Sequence, residues 1–253
     1  MLDHKWDAGP GENKAAVVLL SGGLDSTTVL ALASKADCSC YCLSFAYGQR
    51  HLRELELARA NAARFRAVRH LVLRIELDAI GGSSLTSAEF TGPKVVSSAA
   101  VGGEELEVKI PITYVPGRNT IFLAYAASWA ETLGITDIFI GVNTVDFSGY
   151  PDCRPDYLEA LNIALNLGSR SGRQRRPFRL QAPLLNLSKA EIIAKGMELG
   201  VDYALTHSCY HPDSQHRACG RCDACVLRRR GFAVVGRIDP APYQPQPEGS
   251  WAR

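Results

Sequence analysis

Residues 15–27 read AAVVLLSGGLDST, and this stretch decides the fold. Residues 15–20 are a continuous apolar run, typical of a strand that is buried on both faces of a parallel sheet. A glycine-containing turn follows, and then a segment of helical character that continues to about Ser34. A buried strand, a short turn and a helix in that order predict the first unit of an α/β sheet.

Later segments repeat this order of strand and helix. A second strand is predicted at residues 39–45, a helix at residues 52–65 and a third strand at residues 70–77. Further along, a helix is predicted at residues 119–133, a fourth buried strand at residues 137–141 and another helix at residues 155–167. Ser188 and Glu191 form a capping box that opens one more helix. The pattern predicts a doubly wound, mostly parallel sheet.

The turn between the first strand and the first helix has the composition of an anion-binding loop. Free N–H groups at a helix N-terminus bind phosphate, and Gly22 and Gly23 allow close backbone approach and positive φ. No lysine occupies the Walker position, so this is not a standard P-loop. Asp25 suits a phosphate site only if Mg²⁺ or the loop's own N–H groups hold it. The alternative is a turn needed only for chain reversal. Hydroxyl donors are available on Ser21, Ser26 and Thr27.

Four cysteines near the C-terminus have the spacing of a metal site. They are Cys209, Cys219, Cys222 and Cys225, the last three in a C-x-x-C-x-x-C run. Four thiolates match a closed, structural zinc site, although this run also occurs in iron–sulfur proteins. Four buried thiols without metal are a weaker interpretation, because the run lies among Gly, Arg and Asp. The nearby histidines rank second as ligands: His207, His211 and His216.

Composition sets the wider limits. The chain has 253 residues, 46% hydrophobic and 21% charged, with a net charge of +2, an ordinary globular mixture. This near-neutral charge argues against a main task of coating nucleic acid or an anionic membrane. No apolar run approaches the ~20 residues of a membrane span, and the N-terminus has no signal-peptide core. We therefore expect a cytoplasmic protein, whose eight cysteines point to metal or catalysis rather than disulfides.

Other segments give weaker signals. Cys38, Cys40 and Cys42 alternate on one strand face and are interpreted as packed thiols, whereas Cys153 lies in a polar loop. Residues 168–179 carry five arginines and predict a solvated loop before an edge strand, with a nucleic-acid contact as the alternative. Residues 239–253 contain four prolines and are expected to form an extended or disordered tail. Residues 78–116 are rich in Gly and Ser and lack strong periodicity. So long a stretch without periodicity is uncommon in a compact domain unless it is functional or mobile.

Five motifs, taken together, resemble one family. The loop SGGLDS looks like the pyrophosphate-binding loop of the N-type ATP pyrophosphatases, or PP-loop superfamily. The ordered set from about Ala15 to Phe232 resembles the 7-cyano-7-deazaguanine synthase (QueC) family. Besides that loop, the set comprises YGQRH at 47–51, VPGRN at 115–119, DFSGYPDCR at 146–154, and SCY at 208–210 with CGRCDAC at 219–225.

The resemblance implies both a fold and an activity. The fold is that of the adenine nucleotide alpha-hydrolase-like α/β proteins, with the nucleotide domain at residues 12–206 and the zinc-binding segment, packed on it, at residues 207–233. The activity is a ligase reaction that forms C–N bonds: 7-carboxy-7-deazaguanine, ammonia and two ATP give 7-cyano-7-deazaguanine in queuosine biosynthesis. The implied cofactors are ATP, Mg²⁺ and structural Zn²⁺, and the implied assembly is a homodimer. Free ammonia is the expected nitrogen source, and nucleic acid is not an expected partner.

The resemblance also implies roles for individual residues. Asp25 would hold the loop or a Mg²⁺ ion, and Arg118 and Lys189 would add positive charge near the phosphates. ATP is assigned to Leu20, Ser21, Gly22, Gly23, Leu24, Asp25, Ser26, Thr27, Thr28, Val29 and Leu30. The deazaguanine substrate is assigned to Tyr47, Gln49, Arg50, Asn119, Asp146, Phe147, Tyr150, Asp152 and Arg154.

Two alternatives remain open at this point. A ligase of the same fold could stop at the amide or transfer the acyl group to another amine, using the same residues. A zinc-ribbon module that binds nucleic acid would instead show no ATP turnover and would bind through arginines at 170–179 and 228–230.

Overall fold

The computed structural model describes residues 14–48, 53–86, 110–145 and 149–245. These residues form one sheet whose strand order is β3-β2-β1-β4-β5. Each neighbouring pair is parallel, which confirms the predicted doubly wound sheet. The strands are β1 (Ala15–Leu19), β2 (Ser39–Ala46), β3 (Arg69–Arg74), β4 (Asp137–Phe139) and β5 (Arg179–Gln181).

Helices cover both faces of this sheet. They are α1 (Leu24–Lys35), α2 (Arg53–Arg64), α3 (Arg118–Leu133), α4 (Pro155–Leu167), α5 (Arg170–Arg173), α6 (Lys189–Glu198) and α7 (Asp223–Val234). The capping box predicted at Ser188 and Glu191 is present at the start of α6. None of the helices in the described ranges combines the length and apolar character needed to cross a bilayer.

The alternation of side chains along β1 explains why its sequence is apolar throughout. Ala16 and Val18 belong to one buried core, and Val17 and Leu19 belong to the other. A strand covered by helices on both sides has no polar face, which accounts for the continuous run. The helices reach these cores through Leu30, Ile192 and Phe232 on the first face and Leu123 and Leu158 on the second.

Two strands end earlier than the hydrophobic pattern predicts. β3 ends at Arg74 and β4 at Phe139, each short of the predicted end. Beyond β4 the chain must pass the first turn of α1, since a Cβ on Gly141 would lie 3.0 Å from the backbone N of Ser26. The apolar residues after β4 are buried against helices and loops, although they no longer belong to the strand. An apolar run in the sequence indicates burial, but it does not show whether the buried residues form a strand or a loop.

The basic segment before β5 contains the short helix α5. Two of its arginines hydrogen-bond the ends of other helices: Arg173 donates to the Leu167 carbonyl at the end of α4, and Arg176 donates to Gly134 O after α3. Arg179 lies on β5 and pairs with Asp137 of β4. All three arginines are exposed, and Arg173 and Arg176 satisfy carbonyl groups at helix C-termini, where cations are favoured.

The last described residues pack against the chain. Asp239 accepts hydrogen bonds from Arg228 and from the Tyr243 hydroxyl, and Ala218 N–H donates to Pro242 O. Of the two expectations for this stretch, an extended or a disordered tail, disorder is therefore wrong for residues 239–245. Proline content signals an extended chain, but the buried Arg228 requires a carboxylate that this segment supplies. Residues 246–253 lie outside the described residues.

Candidate active site

A cavity of about 320 Å³ lies at the carboxyl ends of the central strands. The strand order reverses beside β1, with β2 on one side and β4 on the other. Ligands of open α/β sheets bind at such a reversal. The wall includes Ser21 after β1, Tyr47 after β2 and Gly141 after β4, together with Arg118 and Lys189 from more distant parts of the chain.

The loop after β1 is held by its own hydroxyl groups. Ser21 Oγ lies 3.0 Å from Ser26 Oγ and accepts a hydrogen bond from Gly23 N–H. Ser26 Oγ in turn accepts from Ser21 N–H and donates to Gly23 O. Gly23 is the N-cap of α1 and offers no side chain to its first turn. The first-turn N–H groups, together with the helix dipole, form an anion-binding end that faces the cavity.

The two loop glycines differ in conformation. Gly22 has φ +87, and a Cβ there would lie 2.1 Å from Glu54 O, so only glycine fits between the loop and α2. Gly23 has φ −78, so the expectation of positive φ is confirmed at Gly22 and wrong at Gly23. The N-cap of a helix normally has this extended conformation, which explains the difference.

A lysine from a distant helix neutralises the loop carboxylate. Lys189 Nζ lies 2.8 Å and 2.9 Å from the two oxygens of Asp25. Lys189 is the first residue of α6, directly after the N-cap Ser188. With its charge balanced in this way, Asp25 no longer repels an anion that approaches the N-terminus of α1. The pairing also connects α6 to the loop.

Arg118 supplies a second positive charge at the cavity wall. It opens α3 after Gly117, whose φ of 66 turns the chain into the helix. Burial opposes the charge, but the surrounding Tyr47, Tyr150 and Asp152 raise the pKa of Arg118 above its ordinary value. The guanidinium is therefore a permanent cation beside the cavity.

The polar groups beside Arg118 form a connected network. Asn119 N–H donates to Asp152 at 3.0 Å, and the Asn119 amide donates to Asp152 O and to Cys153 Sγ. The Tyr150 hydroxyl lies 2.7 Å from the Thr113 hydroxyl. Burial, followed by the nearby Asp152, raises the pKa of the Cys153 thiol to about 12, so Cys153 is not poised as a nucleophile.

The sequence analysis did not single out Glu54, which also lines the cavity. Burial raises the pKa of Glu54 to about 7, while nearby Arg118 opposes the shift. In the sequence, Glu54 has the appearance of an ordinary acid in the first turn of an amphipathic helix, so no local signal marks it. Other cavity residues missing from the assignment include Ser44, Phe45, Phe122 and Ser208.

The structure describes eighteen of the residues assigned to catalysis, ATP or substrate, and it brings eleven of them to the cavity wall. The wall includes Leu20, Ser21, Gly23, Leu24, Asp25, Ser26, Tyr47, Arg118, Asn119, Tyr150 and Lys189. Thr27, Thr28, Val29 and Leu30 are buried in α1 behind the wall, because a helix turns successive side chains away from any one face. Gln49, Arg50, Asp146 and Phe147 lie outside the described residues.

Two further assigned residues have other surroundings. Arg154 is exposed and pairs with Asp156 instead of facing the cavity. Asp152 is buried behind Asn119, where it can hold the start of α3 but does not line the wall. The polar residues of a loop alternate in direction, so nearness in sequence did not indicate which of them face a ligand.

The four C-terminal cysteines converge as their spacing predicts. Their Sγ atoms all lie within 4.8 Å of one another, and all four side chains are buried. Cys219 Sγ and Cys225 Sγ are 4.0 Å apart, close to the ~3.8 Å between sulfurs on a tetrahedral zinc ion. Backbone N–H groups of Cys219 and His211 donate to Cys209 Sγ, which favours thiolate. The cluster therefore fits a tetrahedral metal. His207 Nε2 instead contacts Cys209 O.

Comparison with known proteins gives the family. The family model described as Queuosine biosynthesis protein QueC matches residues 15–236. The chain is 53% identical over 231 residues to a 7-cyano-7-deazaguanine synthase of Geobacter sp. (strain M21), covering 91% of this chain and 98% of that protein. A protein of the same name from Geotalea uraniireducens (strain Rf4) is 54% identical, covering 91% of this chain and 97% of its own.

A solved structure with a related shape is NMN synthetase from Francisella tularensis, with a TM-score of 0.48 and 14% identity. It covers 89% of this chain and 78% of that chain, and at this level of similarity it adds nothing to the fold described above. The family match, which spans the sheet, the cavity and the cysteine cluster, decides the relationship. The chain belongs to the Queuosine biosynthesis protein QueC family.

Proposed function

We propose that this protein converts 7-carboxy-7-deazaguanine and ammonia to 7-cyano-7-deazaguanine, with two ATP cleaved to AMP and pyrophosphate. The main observation that supports this proposal is the cavity at the point where the strand order reverses. The N-terminal end of α1, Lys189 and Arg118 line it together. The relatives named 7-cyano-7-deazaguanine synthase, similar over nine-tenths of the chain, support the choice of substrate.

The chemistry requires the carboxylate to be activated twice. Attack of the substrate carboxylate on the α-phosphate of ATP forms an acyl-adenylate and releases pyrophosphate. Ammonia then displaces AMP and gives the amide. The amide oxygen attacks the α-phosphate of a second ATP and releases pyrophosphate. Loss of AMP with the oxygen, and of the two amide N–H protons to solvent, then leaves the nitrile. The enzyme contributes by positioning the reactants and stabilising the charge that develops on the phosphates.

The loop and the two cations have distinct roles in this proposal. The first-turn N–H groups of α1, with Ser21 and Ser26, hold the departing pyrophosphate. Lys189 keeps Asp25 neutralised and places an ammonium group at the cavity wall. Arg118 faces the phosphates from the other side. Since Asp25 is engaged by Lys189, we assign Mg²⁺ to the phosphates of ATP.

Substrate recognition is assigned to the wall around α3. Tyr47, Tyr150 and Asn119 offer a flat surface and hydrogen-bonding groups for the deazaguanine ring. Gln49, Arg50, Asp146 and Phe147 stay in the proposal as residues of the adjoining loops. The cysteine cluster would hold a structural Zn²⁺, because four protein ligands leave no position open for a reacting group. A cytoplasmic homodimer is part of the same proposal.

The product and the AMP count test the function directly. The purified protein is mixed with 7-carboxy-7-deazaguanine, ATP, Mg²⁺ and ammonium, and the products are measured by mass spectrometry. We expect the nitrile, with two AMP formed for each nitrile. Amide with one AMP would identify a ligase that stops half-way, and the absence of AMP would contradict the proposal.

A further inference from the structure

Two carboxylates among the described residues line the cavity, and their surroundings differ. Asp25 is engaged by both of its oxygens with Lys189. Glu54 lines the same cavity from the first turn of α2, with Arg118 and Tyr47 as its charged and titratable neighbours. Of the two, Glu54 is therefore the acid that can accept a further cation or a proton from a ligand.

The position of Glu54 is fixed by the fold. Its carbonyl oxygen is the atom against which Gly22 packs, so the first turn of α2 touches the phosphate loop directly. A carboxylate held there lies beside the place where the adenylated substrate must form. The Arg118 guanidinium comes from α3 and the Tyr47 phenol from the end of β2, which puts Glu54 where three elements meet.

The proposed reaction needs a base at this place. Near neutral pH the nitrogen donor is almost entirely ammonium, which has no lone pair with which to attack. Phosphate-binding groups cannot take its proton, because Arg118 and Lys189 are themselves cations. A carboxylate in the cavity can both attract the ammonium ion and accept its proton.

We propose, building on the function above, that Glu54 binds ammonium in the cavity and takes its proton to release the ammonia nucleophile. Ammonium gives one proton to the Glu54 carboxylate. The nitrogen lone pair forms the C–N bond to the acyl-adenylate, and the C–O bond to AMP breaks with its electron pair leaving on AMP. The nitrogen passes a second proton to water, and the amide remains.

The acid–base properties of Glu54 agree with this role. Burial raises the pKa of Glu54 to about 7, whereas an ordinary glutamate would be a much weaker base. A general base is most effective when its pKa lies close to the working pH. The neighbouring Arg118 moderates the shift, so that the carboxylate form is still available near neutral pH.

The test separates the ammonium step from the other steps. Glu54→Gln is compared with wild type in three assays: exchange of labelled pyrophosphate into ATP with the acid, conversion of the amide plus ATP to nitrile, and the complete reaction with ammonium. We expect the complete reaction to fall by about 100-fold, the size typical of a lost general base, while the other two assays change little. Glu56→Gln is the control, since Glu56 is exposed on the same helix and pairs with Arg53.

Hydroxylamine gives a second readout. It is a much weaker base than ammonia and is already neutral near pH 7, so it needs no proton acceptor before it attacks, and the proton lost after attack passes to water as it does with ammonia. We expect hydroxylamine to form the hydroxamate at similar rates with Glu54→Gln and wild type. An unchanged rate with ammonium would overturn the proposal, as would equal losses with ammonium and hydroxylamine.

Other outcomes are equally decisive. Loss of pyrophosphate exchange in Glu54→Gln would show that Glu54 serves adenylation, for example as a Mg²⁺ ligand, or the fold itself. Loss of amide conversion would have the same meaning, and both contradict the ammonium role. If wild type formed no AMP in any assay, the proposed function would fail, which is distinct from a failure at Glu54.

Discussion

At position 189 a lysine begins helix α6, where the positive end of the helix dipole disfavours a cation. The structure accounts for it, because both oxygens of Asp25 receive its ammonium group. The pair is part-buried and lines the cavity, so it is shielded from solvent more than a surface ion pair. The pair ties the loop to α6, and in the proposed function it presents positive charge to phosphate.

Replacing this lysine should impair adenylation. We expect Lys189→Gln to lower kcat/KM for ATP by about 100-fold, the cost of losing one preorganised charged donor. Steady-state AMP formation measures the effect. Lys195→Gln, in the last turn of the same helix, should remain near wild type. Equal activities of the two variants would show that Lys189 does not contribute to adenylation.

Gly22 offers a separate test of close packing. Gly22→Ala combines positive φ with a Cβ only 2.1 Å from Glu54 O, whereas Gly81→Ala has φ +75 with nothing within 4 Å. Backbone strain of about 1–3 kcal/mol applies to both. We expect a clearly larger loss of unfolding free energy for Gly22→Ala, measured by urea denaturation. Similar losses would mean that α2 simply moves aside.

At the scale of elements, the cysteine cluster joins the loop before α7 to the helix itself. Cys222 is the N-cap of α7, and Cys225 lies in its first turn. The helix packs onto the core through Phe232 and contacts α6. Metal bound at its N-terminus would therefore fix a helix whose Ala224, Leu227 and Arg228 line the cavity.

Removing one ligand should release the metal. We expect Cys222→Ser to lower bound zinc from about one ion per chain to a small fraction and to reduce the melting temperature, because structural zinc contributes directly to folding. Elemental analysis and calorimetry measure both. Cys38→Ser is the control, a half-buried thiol outside the cluster. Unchanged zinc content would contradict the metal site.

A buried ion pair between Arg228 and Asp239 anchors the segment at 239–245 to the rest of the chain. Arg228 and Asp239 side chains are only 3% and 5% exposed, and their atoms lie 2.8 Å apart. We expect Asp239→Asn to cost about 3 kcal/mol of unfolding free energy, because it leaves a buried guanidinium uncompensated. The double variant Arg228→Met, Asp239→Asn should be less destabilised than Asp239→Asn alone. The reverse order, in chemical denaturation, would contradict this account.

At the scale of the whole molecule, the cavity costs stability in a pH-dependent way. The pKa of Glu54 rises from 4.5 to about 7 on folding, mainly through burial. Between these values the folded state binds more protons than the unfolded state, so the free energy of unfolding falls as pH rises. Sites built for chemistry commonly carry such a cost.

Glu54→Gln should remove this cost. Without ligands, we expect its unfolding free energy to increase relative to wild type as pH rises from about 4.5 to about 7. Denaturation across this range measures it. In denaturation extended below pH 4.5, Glu56→Gln should show the opposite trend, since the hydrogen bond from Arg53 lowers the pKa of Glu56 from its ordinary 4.5. A difference between Glu54→Gln and wild type that does not vary with pH would contradict the raised pKa.

Several features follow from the sequence alone because they depend on local patterns. The apolar run at 15–20 predicts a strand buried on both faces, Ser188 with Glu191 predicts a cap, and the cysteine spacing predicts a cluster. Each of these features depends on residues that are close together in the sequence. Periodicity, capping chemistry or ligand spacing is therefore sufficient to predict it. The family is indicated by five short motifs, each local, and by their order along the chain.

The tertiary structure alone decided which side chains meet. Lys189 reaches Asp25 across 164 positions, and Asp239 finds Arg228 although its proline-rich surroundings resemble a free tail. Glu54 resembles any acid in the first turn of a helix until the packing of α2 on Gly22 brings it to the cavity. Such contacts arise when strand order and helix packing bring distant segments together, and burial there, rather than residue type, sets their charge and reactivity.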